Sequence, residues 1–101
     1  MDARQRARLL EIADDVAAYR AGRSSLLDLL NNAWGRFEAA DIRDPRDRQQ
    51  FQDVYYALSV ADDRFQPWIP ADVMGSEEDV RAALARFASW IEGLREDAAG
   101  S

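Results

Sequence analysis

The chain has 101 residues, which is enough for one domain with a single hydrophobic core. Its 19 acidic and 13 basic residues give a net charge of −6, which disfavours nucleic acid and anionic membranes as partners and suits a basic protein. Cysteine and histidine are both absent, so the chain has no disulfide, no thiol nucleophile, and neither the commonest general base nor the commonest zinc ligand.

The first predicted helix covers residues 2–21 and ends at Gly22, because glycine readily adopts the left-handed backbone that closes a helix. Apolar residues recur along it at three- and four-residue steps and predict one buried face. Asp14 and Asp15 are expected to be solvated or to face a partner, since neighbouring residues of a helix point about 100° apart and make a poor shared-proton pair. The apolar face consists of Leu9, Ile12, Ala13 and Val16.

The second predicted helix covers residues 26–40. Ser25 and Asp28 have the spacing of a capping box, in which each side chain accepts a hydrogen bond from the backbone of the other residue. Leu27 and Leu29 widen the apolar face of this helix. So broad a face predicts a helix that is covered on more than one side.

The third predicted helix covers residues 45–66 and is the central element of the fold. Asp44 can cap its start, Pro45 suits the first helical position, and Pro67 ends it. Its apolar residues fall on one side at about 100° per residue, and they predict the face that organises the core. That face consists of Phe51, Val54, Tyr55, Leu58, Ala61 and Phe65.

The opposite face of the third helix carries Tyr56 among carboxylates and amides, chiefly Gln52, Asp53 and Asp63. Tyr56 has two readings: a tyrosine half-covered by a neighbouring side chain, or an anchor at a protein interface. In the second reading the buried ring would supply affinity and the acids would steer a basic partner.

Residues 68–75 form the only long connection. Trp68 and Ile69 either pack over an open end of the bundle, or Trp68 stands out as a binding anchor. Ser76 and the acids after it predict the start of the last helix, over residues 77–95, with a frayed end beyond.

Four amphipathic helices joined by mostly short connections predict an all-α fold, an antiparallel up-down four-helix bundle formed by residues 1–101. No apolar run reaches the ~20 residues of a membrane span, and the first residues lack the apolar core of a signal peptide. We therefore expect a cytoplasmic protein.

Two pairs of carboxylates repeat one spacing, Glu11 with Asp14 and Glu38 with Asp41. The pattern resembles the magnesium-binding signature of all-α NTP pyrophosphatases, although Asp14 stands where that signature has a glutamate. Glu11 and Asp14 are expected to point away from the apolar face, whereas a metal site in a helical bundle needs inward acids. We therefore expect no metal, no cofactor, no catalytic residue and no enzymatic activity.

Three segments together resemble the colicin D immunity family and related small helical immunity proteins of bacteria: AYRAGRSSLLDLL (18–30), ALSVADDRFQPW (57–68) and EEDVRAALARFASWI (77–91). They cover about two-fifths of the chain, and residues 31–56 carry no such similarity. Proteins of that family bind a cognate nuclease toxin and oppose its basic RNA-binding cleft with acidic residues. The resemblance implies the same role for this chain.

We therefore predict an acidic helical protein that neutralises a basic protein partner, a cognate bacterial nuclease toxin. The predicted partner-binding residues are Gln52, Asp53, Tyr56, Asp63 and Trp68. A small regulatory or adaptor domain is the alternative, a magnesium-dependent nucleotide hydrolase is a third hypothesis, and homo-oligomers are compatible with all three.

Overall fold

The computed structural model describes residues 1–64, 68, 70 and 76–100, and this part of the chain is all-helical with no strand. The helices are α1 (Ala3–Leu10), α2 (Ile12–Arg20), α3 (Leu26–Ala40), α4 (Pro45–Arg64) and α5 (Glu77–Gly100). The α1–α2 pair packs on α3 and α5, α4 packs on α5, and α3 meets α4 along a shorter contact. With α1 and α2 counted as the two parts of the first predicted helix, four helices therefore share one core.

The prediction of a single helix over residues 2–21 is wrong in one respect, because the structure has two helices there, α1 and α2, separated at Glu11. The Glu11 amide donates to the carbonyl of Arg8 at 3.3 Å, and the Asp14 amide donates to the carbonyl of Glu11 at 3.1 Å. Hydrogen bonds between residues three apart are those of a 3₁₀-helix, and they make this turn tighter than the α-helix on either side of it. No proline or glycine in the sequence marks this position.

The predicted helix caps at Gly22, Ser25, Asp44 and Ser76 are confirmed. Gly22 has φ 76°, and the amide of Arg23 donates to the carbonyl of Ala18, which is the pattern of a Schellman motif. Ser25 and Asp28 exchange the two hydrogen bonds of a capping box at 3.0 and 3.2 Å. The other confirmed caps are Asp44, whose carboxylate accepts from the Arg46 amide, and Ser76, which exchanges two bonds with Asp79.

The last helix is longer than predicted, since α5 runs to Gly100 where a frayed end was expected from Glu96. The predicted end of α4 cannot be compared, because Phe65 and Pro67 lie outside the described residues. None of the described helices combines the length and apolar character needed to cross a membrane.

The core follows the predicted apolar faces closely. Phe51 and Leu58 of α4 are fully buried, and Tyr55 at the edge of that face is half-buried. Phe37 of α3 stacks on Phe51 with ring centroids 4.1 Å apart, which joins the second and third predicted helices through aromatic contact. The other fully buried large side chains are Phe87, Leu9, Ile12, Leu29 and Ile42.

Leu27 is the exception to the predicted core of α3. Its side chain is 61% exposed, whereas Leu29 is fully buried. Side chains two residues apart on a helix point about 200° away from each other, so Leu27 and Leu29 cannot both face the core. Because Leu29 is buried, Leu27 points outward.

Candidate partner-binding surface

Tyr56 lies outside the core, as its position in the helical pattern predicted, with 52% of its surface exposed. Its ring meets the ring of Tyr55 nearly edge to face, with centroids 5.7 Å apart. The edge of one ring carries partial positive charge and the face of the next carries negative charge, so this arrangement is favourable.

Tyr55 is itself held by the core. Its ring centroid lies 5.3 Å from that of Trp34 on α3 and 5.4 Å from that of Phe51 on α4. Burial raises the pKa of the Tyr55 phenol, and the neighbouring Tyr56 adds to the effect. A continuous set of ring contacts thus connects the exposed ring of Tyr56 to the buried ring of Phe51.

The polar residues predicted around Tyr56 lie on the outer side of α4. Asp53 is exposed, and its carboxylate accepts a hydrogen bond of 2.7 Å from the amide of Gln49, one helical turn earlier. Gln52 is half-buried beside them. Val60 follows Tyr56 by four residues and is 47% exposed, so it extends the apolar part of the same face.

Trp68 is 77% exposed, so the expectation that its ring packs over an end of the bundle is wrong. The expectation for Ile69 falls outside the described residues. Trp68 instead borders an open cleft of about 380 Å³ between the start of α3 and the end of α4. The cleft is lined by Ser25, Leu26, Leu27, Asp62, Asp63 and Trp68.

Asp63 connects this cleft to the outer face of α4. It follows Val60 by three residues and Tyr56 by seven, a spacing that returns to the same side of a helix, and its side chain is exposed. Within the part of the chain that the structure describes, Asp63 has no hydrogen bond or ion pair. We call the combined region the α4 outer surface, which consists of Gln52, Asp53, Tyr56, Val60, Asp63, Leu27 and Trp68.

Among the described residues, the exposed large apolar side chains are Leu27, Tyr56, Val60 and Trp68. Tyr56 and Val60 lie on the outer side of α4, and Leu27 and Trp68 line the cleft that also contains Asp63. Isolated exposed apolar residues are common on soluble proteins, but grouped ones with a polar rim are typical of interaction sites.

Asp15 is neither solvated nor turned toward a partner, so the expectation for this residue is wrong. Its side chain is 9% exposed and forms two hydrogen bonds with Arg36 of α3, while Arg36 also binds Glu11 at 2.7 Å. The hydrogen bond to Asp15, with the charges of both carboxylates, raises the pKa of Arg36 against the opposing effect of burial. This cluster joins α2 to α3 and lies apart from the α4 outer surface.

Both glutamates of the carboxylate pairs that resemble a magnesium signature are engaged in other contacts. Glu11 binds Arg36, and Glu38 accepts a hydrogen bond of 2.8 Å from the indole N–H of Trp34. Asp14 is exposed, in agreement with the prediction that it points away from the core. Among the described residues, no group of three or more acidic side chains is arranged to hold a metal ion.

Val60 and Leu27 are the members of the α4 outer surface that are not among the predicted partner-binding residues. Leu27 stands three residues before Leu30 and seven before Trp34, which is the spacing of the apolar face itself, so no signal in the sequence separates it from the buried residues. No protein family, curated protein or solved structure matches this chain.

Proposed function

We propose that this chain is an acidic helical binding protein that neutralises a basic protein partner, and that the partner is a nuclease toxin to which the chain gives immunity. The α4 outer surface is the binding site in this proposal. The packed helices form an antiparallel up-down bundle that holds α4 in place, and the protein acts in the cytoplasm.

One observation carries the proposal. Tyr56 and Val60 are exposed on the outer side of α4, which also presents Asp53 and Asp63. Asp63 in turn lines the cleft that the exposed Leu27 and Trp68 border. Aromatic and aliphatic anchors at the centre of an interface supply most of its affinity, while acids near them attract a basic partner and set its orientation. A nuclease carries the complementary basic surface, because it must bind phosphates.

The experiment is a rescue assay. A large basic protein encoded beside this chain would be expressed alone, with the wild-type chain, and with a Tyr56→Ala variant. We expect growth arrest and RNA or DNA cleavage with the toxin alone, protection by the wild-type chain, and weaker protection by the variant. The matched control is Asp97→Asn, an exposed acid on α5, which should protect fully. Absence of protection by the wild-type chain would reject the immunity role.

A regulatory or adaptor domain that uses the same surface is the second candidate, favoured by the same exposed side chains. It predicts a stable complex with a basic protein that is not toxic. Binding without any effect on the partner's catalytic activity would therefore select the adaptor over the immunity protein.

We also propose that the chain acts by binding rather than by catalysis. The absence of histidine and cysteine and the contacts of Glu11 and Glu38 support this. The purified protein, incubated with nucleoside triphosphates and Mg²⁺, should release no pyrophosphate. Turnover that a Glu38→Gln variant abolishes would establish the hydrolase instead.

A further inference from the structure

We infer that the cleft between the start of α3 and the end of α4 binds an arginine side chain of the basic partner. The inference rests on the proposed function and adds to it the chemical group that the partner inserts. The cleft holds about 380 Å³, near the lower limit of small-ligand sites, so it suits one long side chain rather than a whole helix.

The walls of the cleft match the two parts of an arginine side chain. Leu27 and Trp68 are exposed and lie on its border, where they can cover the aliphatic stem and the planar face of the guanidinium. Asp63 supplies an exposed carboxylate at the same site. Arginine stacks on aromatic rings and binds carboxylates at two points, whereas lysine offers only a compact charge.

The position of Asp63 also favours a cation. Asp63 lies in the last described turn of α4, toward the negative end of the helix dipole. An acid near this end of a helix is locally unfavourable, and a bound cation offsets both its charge and the dipole. A second copy of this chain would bring a net charge of −6 against the same surface, so a basic partner fits better than self-association.

The test is a titration of the ¹⁵N-labelled chain with N-acetyl-arginine amide in the millimolar range, followed by ¹H–¹⁵N spectra. N-acetyl-citrulline amide is the matched probe, since it keeps the shape of arginine and removes the charge. We expect shifts at the indole N–H of Trp68 and at the amides around Leu27 and Asp63, and much smaller shifts with citrulline. Trp68 is assigned with a Trp68→Phe variant.

Two variants then locate the charge. Asp63→Asn should weaken arginine binding about three- to fivefold, the range of an exposed ion pair, and Trp68→Ala should weaken it about two- to fivefold. Asp97→Asn on α5 is the control and should leave the affinity unchanged. Circular dichroism of each variant checks that the fold is kept, and all three positions are exposed.

Shifts that spread evenly over the acidic surface, equal effects of citrulline, or equal losses in Asp63→Asn and Asp97→Asn would each overturn the arginine site. The probe contains no toxin, so this result is independent of the rescue assay. If arginine binds in the cleft but the wild-type chain gives no protection in the rescue assay, the immunity role is rejected and the inference of an arginine site stands.

Discussion

Arg36 of α3 and Asp15 of α2 form a two-point ion pair, with Nε–Oδ2 at 2.7 Å and Nη2–Oδ1 at 3.2 Å. The Asp15 side chain is 9% exposed and that of Arg36 is 32% exposed. Breaking a buried pair is costly when the remaining charge stays buried, but here the guanidinium keeps contact with water and with Glu11.

We therefore predict that Asp15→Asn lowers the free energy of unfolding by about 1–3 kcal/mol, because a partly buried guanidinium loses its charged acceptor. Asp14→Asn, at the exposed neighbouring position, should change it by less than about 0.5 kcal/mol. Urea denaturation followed by circular dichroism measures both. Equal effects of the two variants would mean that the ion pair adds nothing to stability.

Substitutions on the two faces of α4 should have different effects on the free energy of unfolding. Phe51→Ala should cost about 3–5 kcal/mol, because the ring is fully buried and leaves a cavity. Tyr56→Ala should cost well under this amount, since about half of its surface already faces water. Thermal melts of both variants decide the matter. Unfolding of the Tyr56→Ala variant at room temperature would place that ring in the core.

Binding kinetics should separate the apolar from the charged residues of the α4 outer surface. With the basic partner found in the rescue assay, Tyr56→Ala should weaken the complex by about 2 kcal/mol, roughly thirtyfold, mainly through faster dissociation. Asp53→Asn and Asp63→Asn should mainly slow association, and added salt should reduce their effect. Surface plasmon resonance at two salt concentrations measures these rates.

A loss of affinity as large in Asp97→Asn as in Asp63→Asn would show attraction by overall charge rather than by this surface. Unchanged dissociation in Tyr56→Ala would remove the ring from the interface and leave the cleft at Trp68 as the next candidate.

Alkaline pH should reveal the burial of Tyr55. Its pKa is raised in the folded state, so the unfolded chain loses this proton first, near pH 10. The contribution of Tyr55 to stability is complete below about pH 10 and is lost as the pH rises through the folded pKa. The tyrosinate absorbance of the native protein should therefore contain a late component that Tyr55→Phe removes. A difference spectrum between wild type and variant with a midpoint at or below 10 would contradict this.

Local signals in the sequence were sufficient for the helix ends. Gly22, Ser25 and Asp44 act on backbone groups within five residues of themselves, so their roles can be predicted without knowledge of the fold. The same holds for Phe51 and Leu58, since the spacing of apolar residues along α4 depends on that helix alone.

The features that were missed depend on partners that are distant in sequence. Asp15 and Arg36 are 21 positions apart, and no periodicity links a carboxylate to a particular arginine on another helix. Leu29 is buried and Leu27 is exposed. Which of the two leucines faces the core depends on how the neighbouring helices pack against α3. The cleft beside Trp68 has no sequence pattern at all, because it exists only where α3 and α4 meet.

The ring contact between Tyr55 and Tyr56 bears on the thermodynamics of docking. A side chain that is free in solution loses rotational freedom when a partner covers it, and this loss opposes binding. Tyr56 already rests on a ring that Trp34 and Phe51 hold in place. Less motion remains to be lost, so the entropic penalty at this position is reduced before any partner arrives. A Tyr55→Ala exchange would thus weaken a complex that the Tyr55 ring does not itself need to touch.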